Sequence, residues 1–315
     1  MQVVYLEPVP GDVEAIIRGC LPDGFTLHVR RGDESPVEAV READFVLVAT
    51  TPVSAEVIEA APRLKLIQHQ GVGYDNVDVA AAAQVGIPIG LTPEGTSKPV
   101  AETVFLLILS LYRNLFIANR SLRHGQWLQW ELRPQSYNLV GKKMGIVGLG
   151  RIGREVAQRA KAFECELLYY DLVRAPAEVE AEYGAKYVSV DDLLAQSDVV
   201  TLHVPRTEQT QRMIGGAELA RMKPAALLIN TARGGLVDEA ALYLALTNGQ
   251  IGGAGLDVFA VEPPSVDNPL LHLDNVVAIP HIAAGTRDAL ADKMRAAFAN
   301  MQRVAEGKTP RNQVQ

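Results

Sequence analysis

Short apolar runs alternate along the chain with segments whose apolar residues recur every three or four positions. That alternation predicts an α/β protein built on parallel sheets. Near the start, 3–8 (VVYLEP), 25–30 (FTLHVR), 45–50 (FVLVAT) and 64–70 (LKLIQHQ) read as strands, and 54–61 and 77–85 as helices. This first sheet ends about residue 92. Residues 98–125 then read as one long helix, with Pro99 near its first turn and apolar residues nearly all round through Leu111. Such a helix is expected to be buried between two bodies. A second series follows, with strands at 143–150, 166–171, 198–205, 226–230, 252–259 and 275–281. The last helix, 287–306, carries Met294, Phe298, Met301 and Val304 at helical spacing. Two α/β series imply two domains, and spacing alone leaves open which of them this helix joins.

The strongest local signal lies at the start of the second series. Gly148, Gly150 and Gly153 form G-x-G-x-x-G between the strand MGIV and the helix RIGREVAQRAKAF. The first glycine permits a tight turn, the second lets a pyrophosphate approach the backbone, and the third lets helix and strand pack closely. The helix start, Arg151 and Ile152 with Gly153, offers N–H groups and positive potential to an anion. The next strand ends in Asp171, eighteen residues past Gly153. An acid there accepts hydrogen bonds from ribose hydroxyls and repels a 2′-phosphate, which favours NAD over NADP. Arg174, three residues on, works against strictness.

Composition narrows the class. Of 315 residues, 48% are apolar and 21% charged, enough for a full core without disulfides or structural metal. The net charge of −7 and the lack of a basic run argue against nucleic acid. The two cysteines, Cys20 and Cys165, lack metal-ligand or framework spacing. No stretch reaches the ~18 consecutive apolar residues of a membrane span, and the N-terminus does not read as a signal peptide. A reducing, cytoplasmic setting fits.

One further stretch asks for chemistry. In 276–285 (VVAIPHIAAG), a buried strand ends by presenting His281, followed by small residues. Alone, His281 is either a polar strand end or a proton carrier. The order of motifs bears on the choice. After the glycine-rich turn come 198–210 (DVVTLHVPRTEQT), 227–242 (LLINTARGGLVDEAAL), 253–264 (GAGLDVFAVEPP) and PHIAAGT, with QGVGYDNVD at 70–78, VAET at 100–103 and RHGQW at 123–127 upstream. In this series the chain resembles the D-isomer-specific 2-hydroxyacid dehydrogenase family.

The resemblance implies a Rossmann-type, doubly wound nucleotide domain (99–286) inserted into a flavodoxin-like substrate domain (1–98 plus 287–315). It implies catalytic roles for Arg233 of TARGG, Glu262 of VEPP and His281. Asp257 resembles the residue that holds the nicotinamide carboxamide. His203, Val204, Pro205 and Thr207 resemble the loop beneath the adenosine, and Thr103, Thr231 and Ala232 further cofactor contacts. Gly71, Val72 and Gly73 resemble the loop whose N–H groups meet the substrate carboxylate. The implied reaction passes a hydride between NAD(H) and C2 of a small 2-oxo or D-2-hydroxy acid, as in a glyoxylate or hydroxypyruvate reductase, in a homodimer without metal. His281 would carry the proton, since an imidazole gains or loses one near neutrality. Glu262 would hold it in the charged form, and Arg233 would bind the carboxylate and polarise the carbonyl.

Alternatives remain in view. The co-repressors of this fold family also keep an Arg/Glu/His set, which leaves an NAD(H)-sensing binding protein open. A phosphoglycerate dehydrogenase-like enzyme lacking a regulatory domain is another reading, although 70–78 carries no lysine or arginine. The Glu–His pairing argues against the formate dehydrogenase branch. Lys98 is expected at the surface, and Trp127 and Trp130 in core or interface. His28, His69, His124 and His272 are expected to be structural.

Overall fold

The computed structural model describes residues 1–314. The chain forms two compact units, one of residues 1–96 with 285–314 and one of residues 97–284.

In the first unit, β1 (Gln2–Tyr5), β2 (Thr26–Val29), β3 (Phe45–Val48), β4 (Leu66–His69) and β5 (Ile89–Gly90) form a parallel sheet in the order β2-β1-β3-β4-β5. This is the flavodoxin-like order. Successive side chains on a strand face opposite sides, and both sides are apolar here. Val4, Leu6, Val46, Val48 and Ile67 pack with Val57 and Ile58 of helix Ala55–Glu59. Val3, Tyr5, Phe45, Leu47 and Leu66 pack on the other side with Ile17 of helix Gly11–Arg18. Met294, Ala297, Phe298 and Met301 of the last helix, Arg287–Ala305, join that second layer.

The second unit holds β6 (Lys143–Val147), β7 (Glu166–Tyr170), β8 (Ala185–Tyr187), β9 (Val199–Leu202), β10 (Leu227–Asn230), β11 (Gly253–Leu256) and β12 (Val276–Ala278). All are parallel, in the order β12-β11-β10-β9-β6-β7-β8. The chain leaves β6 in one direction for β7 and β8 and returns beside β6 with β9, a doubly wound sheet. Strands β9, β10 and β11 are buried along their whole length, as near-continuous apolar runs covered on both faces should be.

Three features depart from the sequence reading. The expected single helix over 98–125 is two, Ser97–Tyr112 and Leu115–Arg123, bent by 59°. Asn114 breaks it with φ of 49°, a left-handed backbone, and its amide donates to Gln135 O and Ser136 Oγ. Among the described residues no single helix is long and apolar enough to cross a membrane. The strands β5 and β8 were not expected; at two and three residues they carry no readable alternation. Trp127 and Trp130 are 71% and 65% exposed, which removes the core reading for both.

Phe298 is 2% exposed in the layer that joins the last helix to the first sheet. Phe298→Ala is expected to destabilise that unit by about 3–5 kcal/mol, read as a lower urea midpoint.

Candidate active site

Ladder register brings the candidate residues of the second unit together. Tyr170 pairs with Val147, Val147 with Leu202, Leu202 with Asn230, Asn230 with Leu256 and Leu256 with Ala278. The residue after each strand therefore falls in one row at the C-terminal edge: Asp171, Gly148, His203, Thr231 and Asp257, with His281 two residues beyond Ile279. Ligands of open α/β sheets bind at this edge, where the strand order reverses between β6 and β9.

The glycine motif shapes that reversal point. Gly148 has φ of 96°, and a Cβ there would meet His203 O at 2.8 Å. A Cβ on Gly153 would run into Gly148 O, so the helix can start only because both are glycine. Gly150 is open, with nothing within 4 Å of its Cβ direction, and caps helix Arg151–Ala162 without a side-chain bond. Arg151 is exposed there, while Ile152 packs partly against the core. Asp171 accepts from Leu149 N and from Leu172 N, each at 2.8 Å, and so ties β7 to the glycine turn. Arg174 points its guanidinium at Glu180, with two bonds of 2.9 Å.

Two buried polar atoms among the described residues have no hydrogen-bond partner, His203 Nδ1 and Thr231 Oγ1. Both lie on the same edge as the open glycine turn. Burial drives the His203 pKa down to about 3, so the ring is neutral, with Nε2 2.9 Å from Thr201 Oγ1. Buried polar groups are rarely left unpaired, and these two fit a cofactor with polar edges laid along the row. Val204 packs into the core beside it, Pro205 is exposed, and Thr207 is tied to Thr210.

His281 is held by three local features. Its N–H donates to Asp257 O at 2.8 Å, and its φ of 50° turns the ring away from the strand line. Its Nδ1 lies 2.7 Å from Glu262 Oε2. That bond raises the imidazole pKa above 6.5, and the negative charges of Glu262 and Asp257 add to it, against burial and Arg233. Burial pushes the Glu262 carboxyl upward, but the His281 bond, the Phe259 N–H and two cations bring it below its ordinary range. Asp257 is 1% exposed, and burial raises its pKa although Ile282 N and Ala283 N donate to it. Its carboxylate therefore anchors the turn that carries His281. Thr103 Oγ1 donates to Ala283 O, which fixes the far side of that turn.

Three positioning residues, Asn230, Glu239 and Gly234, have no site role in the sequence reading. Asn230, 1% exposed at the end of β10, donates to Arg233 O and accepts from Ala232 N. It sets the turn that presents Arg233, whose Nη1 donates to Ala232 O at 2.7 Å. Glu239 accepts from Ala260 N and from Asn268 Nδ2, bracing the loop that holds Glu262. Gly234 lies where a Cβ would collide with the Phe259 and Ala260 backbone, so the Arg233 turn rests directly on the Glu262 segment. A buried asparagine at a strand end was the one readable clue.

In the first unit, the loop 71–73 leaves the end of β4. Of its three N–H groups, that of Gly71 is already donated to His69 Nδ1 at 3.0 Å, while none is paired for Val72 or Gly73 among the described residues. The histidines set aside as structural divide accordingly. His28 pairs with Glu34, His124 with Arg120 O and His272 with Val266 O, all local contacts. His69 instead reaches a candidate binding loop. Lys98 is exposed. Among the described residues no group of three His, Cys, Asp or Glu is placed to hold a metal.

Comparison with known proteins gives this edge a context. Residues 105–283 match the family model described as D-isomer specific 2-hydroxyacid dehydrogenase, NAD binding domain. A glyoxylate reductase of Korarchaeum cryptofilum is 43% identical over 93% of this chain and 91% of its own. A D-3-phosphoglycerate dehydrogenase of Archaeoglobus fulgidus is 42% identical over the whole of this chain, which spans 59% of that relative. A D-lactate dehydrogenase from Aquifex aeolicus, solved with NAD and lactic acid, superposes with a TM-score of 0.85 at 30% identity, over 98% of this chain and 96% of that one.

The pair His281–Glu262 makes a direct prediction. By NMR titration, His281 should lose its proton above 6.5, and Glu262→Gln should return the pKa toward that value. The stability that the pair contributes fades as pH rises through the raised His281 pKa, and as it falls through the depressed Glu262 pKa.

Proposed function

Because the chain belongs to the D-isomer specific 2-hydroxyacid dehydrogenase family, NAD-dependent oxidoreductases, we propose that it interconverts small 2-oxo acids and D-2-hydroxy acids of the size of glyoxylate or hydroxypyruvate. The observation that carries this reading is the hydrogen-bonded pair of His281 and Glu262, 2.7 Å apart and close enough to Arg233 for its charge to act on both.

Reduction of a 2-oxo acid needs a hydride at C2 and a proton at its oxygen. Bound NADH supplies the hydride. His281 holds the proton: Glu262 occupies Nδ1, which leaves Nε2 to donate to the developing alkoxide. The Glu262 carboxylate favours the protonated ring, and in oxidation the neutral ring takes the proton back. Arg233 offers a permanently charged, planar fork to the carboxylate and the polarised carbonyl. In the first unit, the N–H groups of Val72 and Gly73 are the proposed partners of a substrate carboxylate.

NADH is the favoured cofactor. A carboxylate at Asp171, at the end of β7 beside the glycine turn, would repel a 2′-phosphate, and Arg174 is engaged by Glu180. A phosphorylated substrate is disfavoured, since no lysine or arginine occurs in 70–78. Catalysis and NAD(H) sensing share the Arg/Glu/His set, so turnover of a 2-oxo acid is what discriminates between them. The free thiols of Cys20 and Cys165 fit a reducing, cytoplasmic setting. Leu106, Leu115, Phe116, Leu122, Trp127 and Trp130 are large apolar side chains, each 49–71% exposed, and they support a homodimer through this helical region.

NADH oxidation against a panel of 2-oxo acids, with NADPH in parallel, tests the reaction. Turnover with NADH is expected, His281→Ala should lose about 10²–10⁴-fold in kcat, and Arg233→Lys about 10²–10³-fold in kcat/KM. NADH binding without turnover across the panel would overturn the catalytic reading in favour of a sensor. Light scattering should give the mass of two chains; the mass of one would rule out the dimer.

A further inference from the structure

The first unit contains a hydrogen-bonded relay that ends at the proposed carboxylate loop. Glu7, two residues past β1, accepts from the N–H groups of Ala49, Thr50 and Thr51 and from both threonine hydroxyls. Those bonds pull the Glu7 carboxyl below its ordinary range against the upward push of burial. The segment so fixed presents its carbonyls to Asn76, whose Nδ2 donates to Thr51 O at 2.8 Å. That orients the Asn76 amide and leaves Oδ1 as an acceptor, 3.2 Å from His69 Nε2. His69 is 5% exposed at the last position of β4. With Nε2 donating to Asn76, Nδ1 is the acceptor, and it receives the Gly71 N–H at 3.0 Å. Gly71 O in turn accepts from Thr92 N at 3.0 Å. Gly71 is thus pinned on both sides, by its N–H through the imidazole and by its carbonyl through Thr92.

We propose that His69 is a positioning residue for the substrate carboxylate: by taking the Gly71 N–H on Nδ1, it fixes the start of the loop so that the next two N–H groups, of Val72 and Gly73, stay free for the anion. This rests on the reading of 71–73 as the carboxylate loop. The imidazole does not touch the substrate and moves no proton. Its two nitrogens have separate tasks, one toward the loop and one toward Asn76.

That separation gives the test. Asparagine places an acceptor oxygen where Nδ1 stands, and glutamine places a donor nitrogen where Nε2 stands. His69→Asn keeps the bond to Gly71 and loses that to Asn76; His69→Gln does the reverse. With NADH and glyoxylate or hydroxypyruvate, His69→Gln should raise the oxo-acid KM roughly tenfold, the scale of one misplaced donor to a charged group. The KM for NADH and the pH profile of kcat should stay unchanged. His69→Asn should restore the oxo-acid KM. Amide exchange at Gly71, followed by NMR without substrate, should quicken in His69→Gln and stay slow in His69→Asn. Equal KM values in both variants, or a fall confined to kcat, would overturn the proposal. A wild type that reduces no 2-oxo acid would overturn the reading of the loop and this role with it. In that case the exchange data would still report whether the His69–Gly71 contact forms.

Discussion

The register of the parallel ladder in the second unit is the constraint on which the rest depends. Six strands paired in step end together, so residues far apart in sequence stand about 4.8 Å apart along one edge. A slip by one residue in β11 would exchange the faces of its side chains and carry Asp257 off the row. The burial of both sheet faces makes such a slip costly. Positional accuracy at the edge is thus maintained by apolar packing some distance away, between Val200, Leu202, Leu228 and Leu256 on one face and Ile146, Ile229 and Val277 on the other.

Beyond the strand ends, backbone geometry takes over from packing. Asp257 is buried at a cost that burial alone would impose on its charge, and two N–H groups of the His281 turn offset it. The same bonds force the chain to turn just where His281 adopts its left-handed backbone. Glu262 is anchored independently, by Phe259 N, and its loop by Glu239. Gly234 then brings the Arg233 turn onto that loop. The three charged side chains are therefore carried by turns that share contacts, and a shift in one is felt by the others. The raised His281 pKa and the depressed Glu262 pKa are the electrostatic result.

Much of this was legible in the sequence because glycine spacing, apolar runs and the order of motifs are local signals. G-x-G-x-x-G located the turn after β6, and its structural reason, the contact of Gly153 with Gly148 O, is the one that spacing implies. The break at Asn114 was hidden because apolar periodicity continues into Leu115, Phe116 and Ile117 while the backbone turns left-handed at a single residue and bends the helix. The two short strands are defined by neighbours, not by their own residues. Asn230 and Glu239 escaped notice, and His69 was expected to be merely structural, for another reason. Glu239 bonds to Ala260 N, far along the chain, while Asn230 and His69 bond to backbone two or three residues on, in turns whose shape the surrounding packing sets.

The same physics explains why a polar relay is tolerated in the first unit. Gln68 and His69 are both buried on β4, where apolar residues would pack more cheaply. Gln68 is satisfied by Thr92, the His69 carbonyl and Asn300, and His69 by Asn76 and Gly71. A complete set of partners removes most of the burial cost and leaves directional bonds that apolar side chains cannot supply. Directionality matters most where a loop must offer amide hydrogens to an anion. Two unpaired N–H groups balance a carboxylate, whose charge is single and whose two oxygens lie in one plane. A phosphate would bring close to twice that charge and a third oxygen, and the loop 70–78 has no cation to meet them. On the proposed reading of 71–73, the preference of this loop for a carboxylate follows from what the relay holds in place as much as from what the loop lacks.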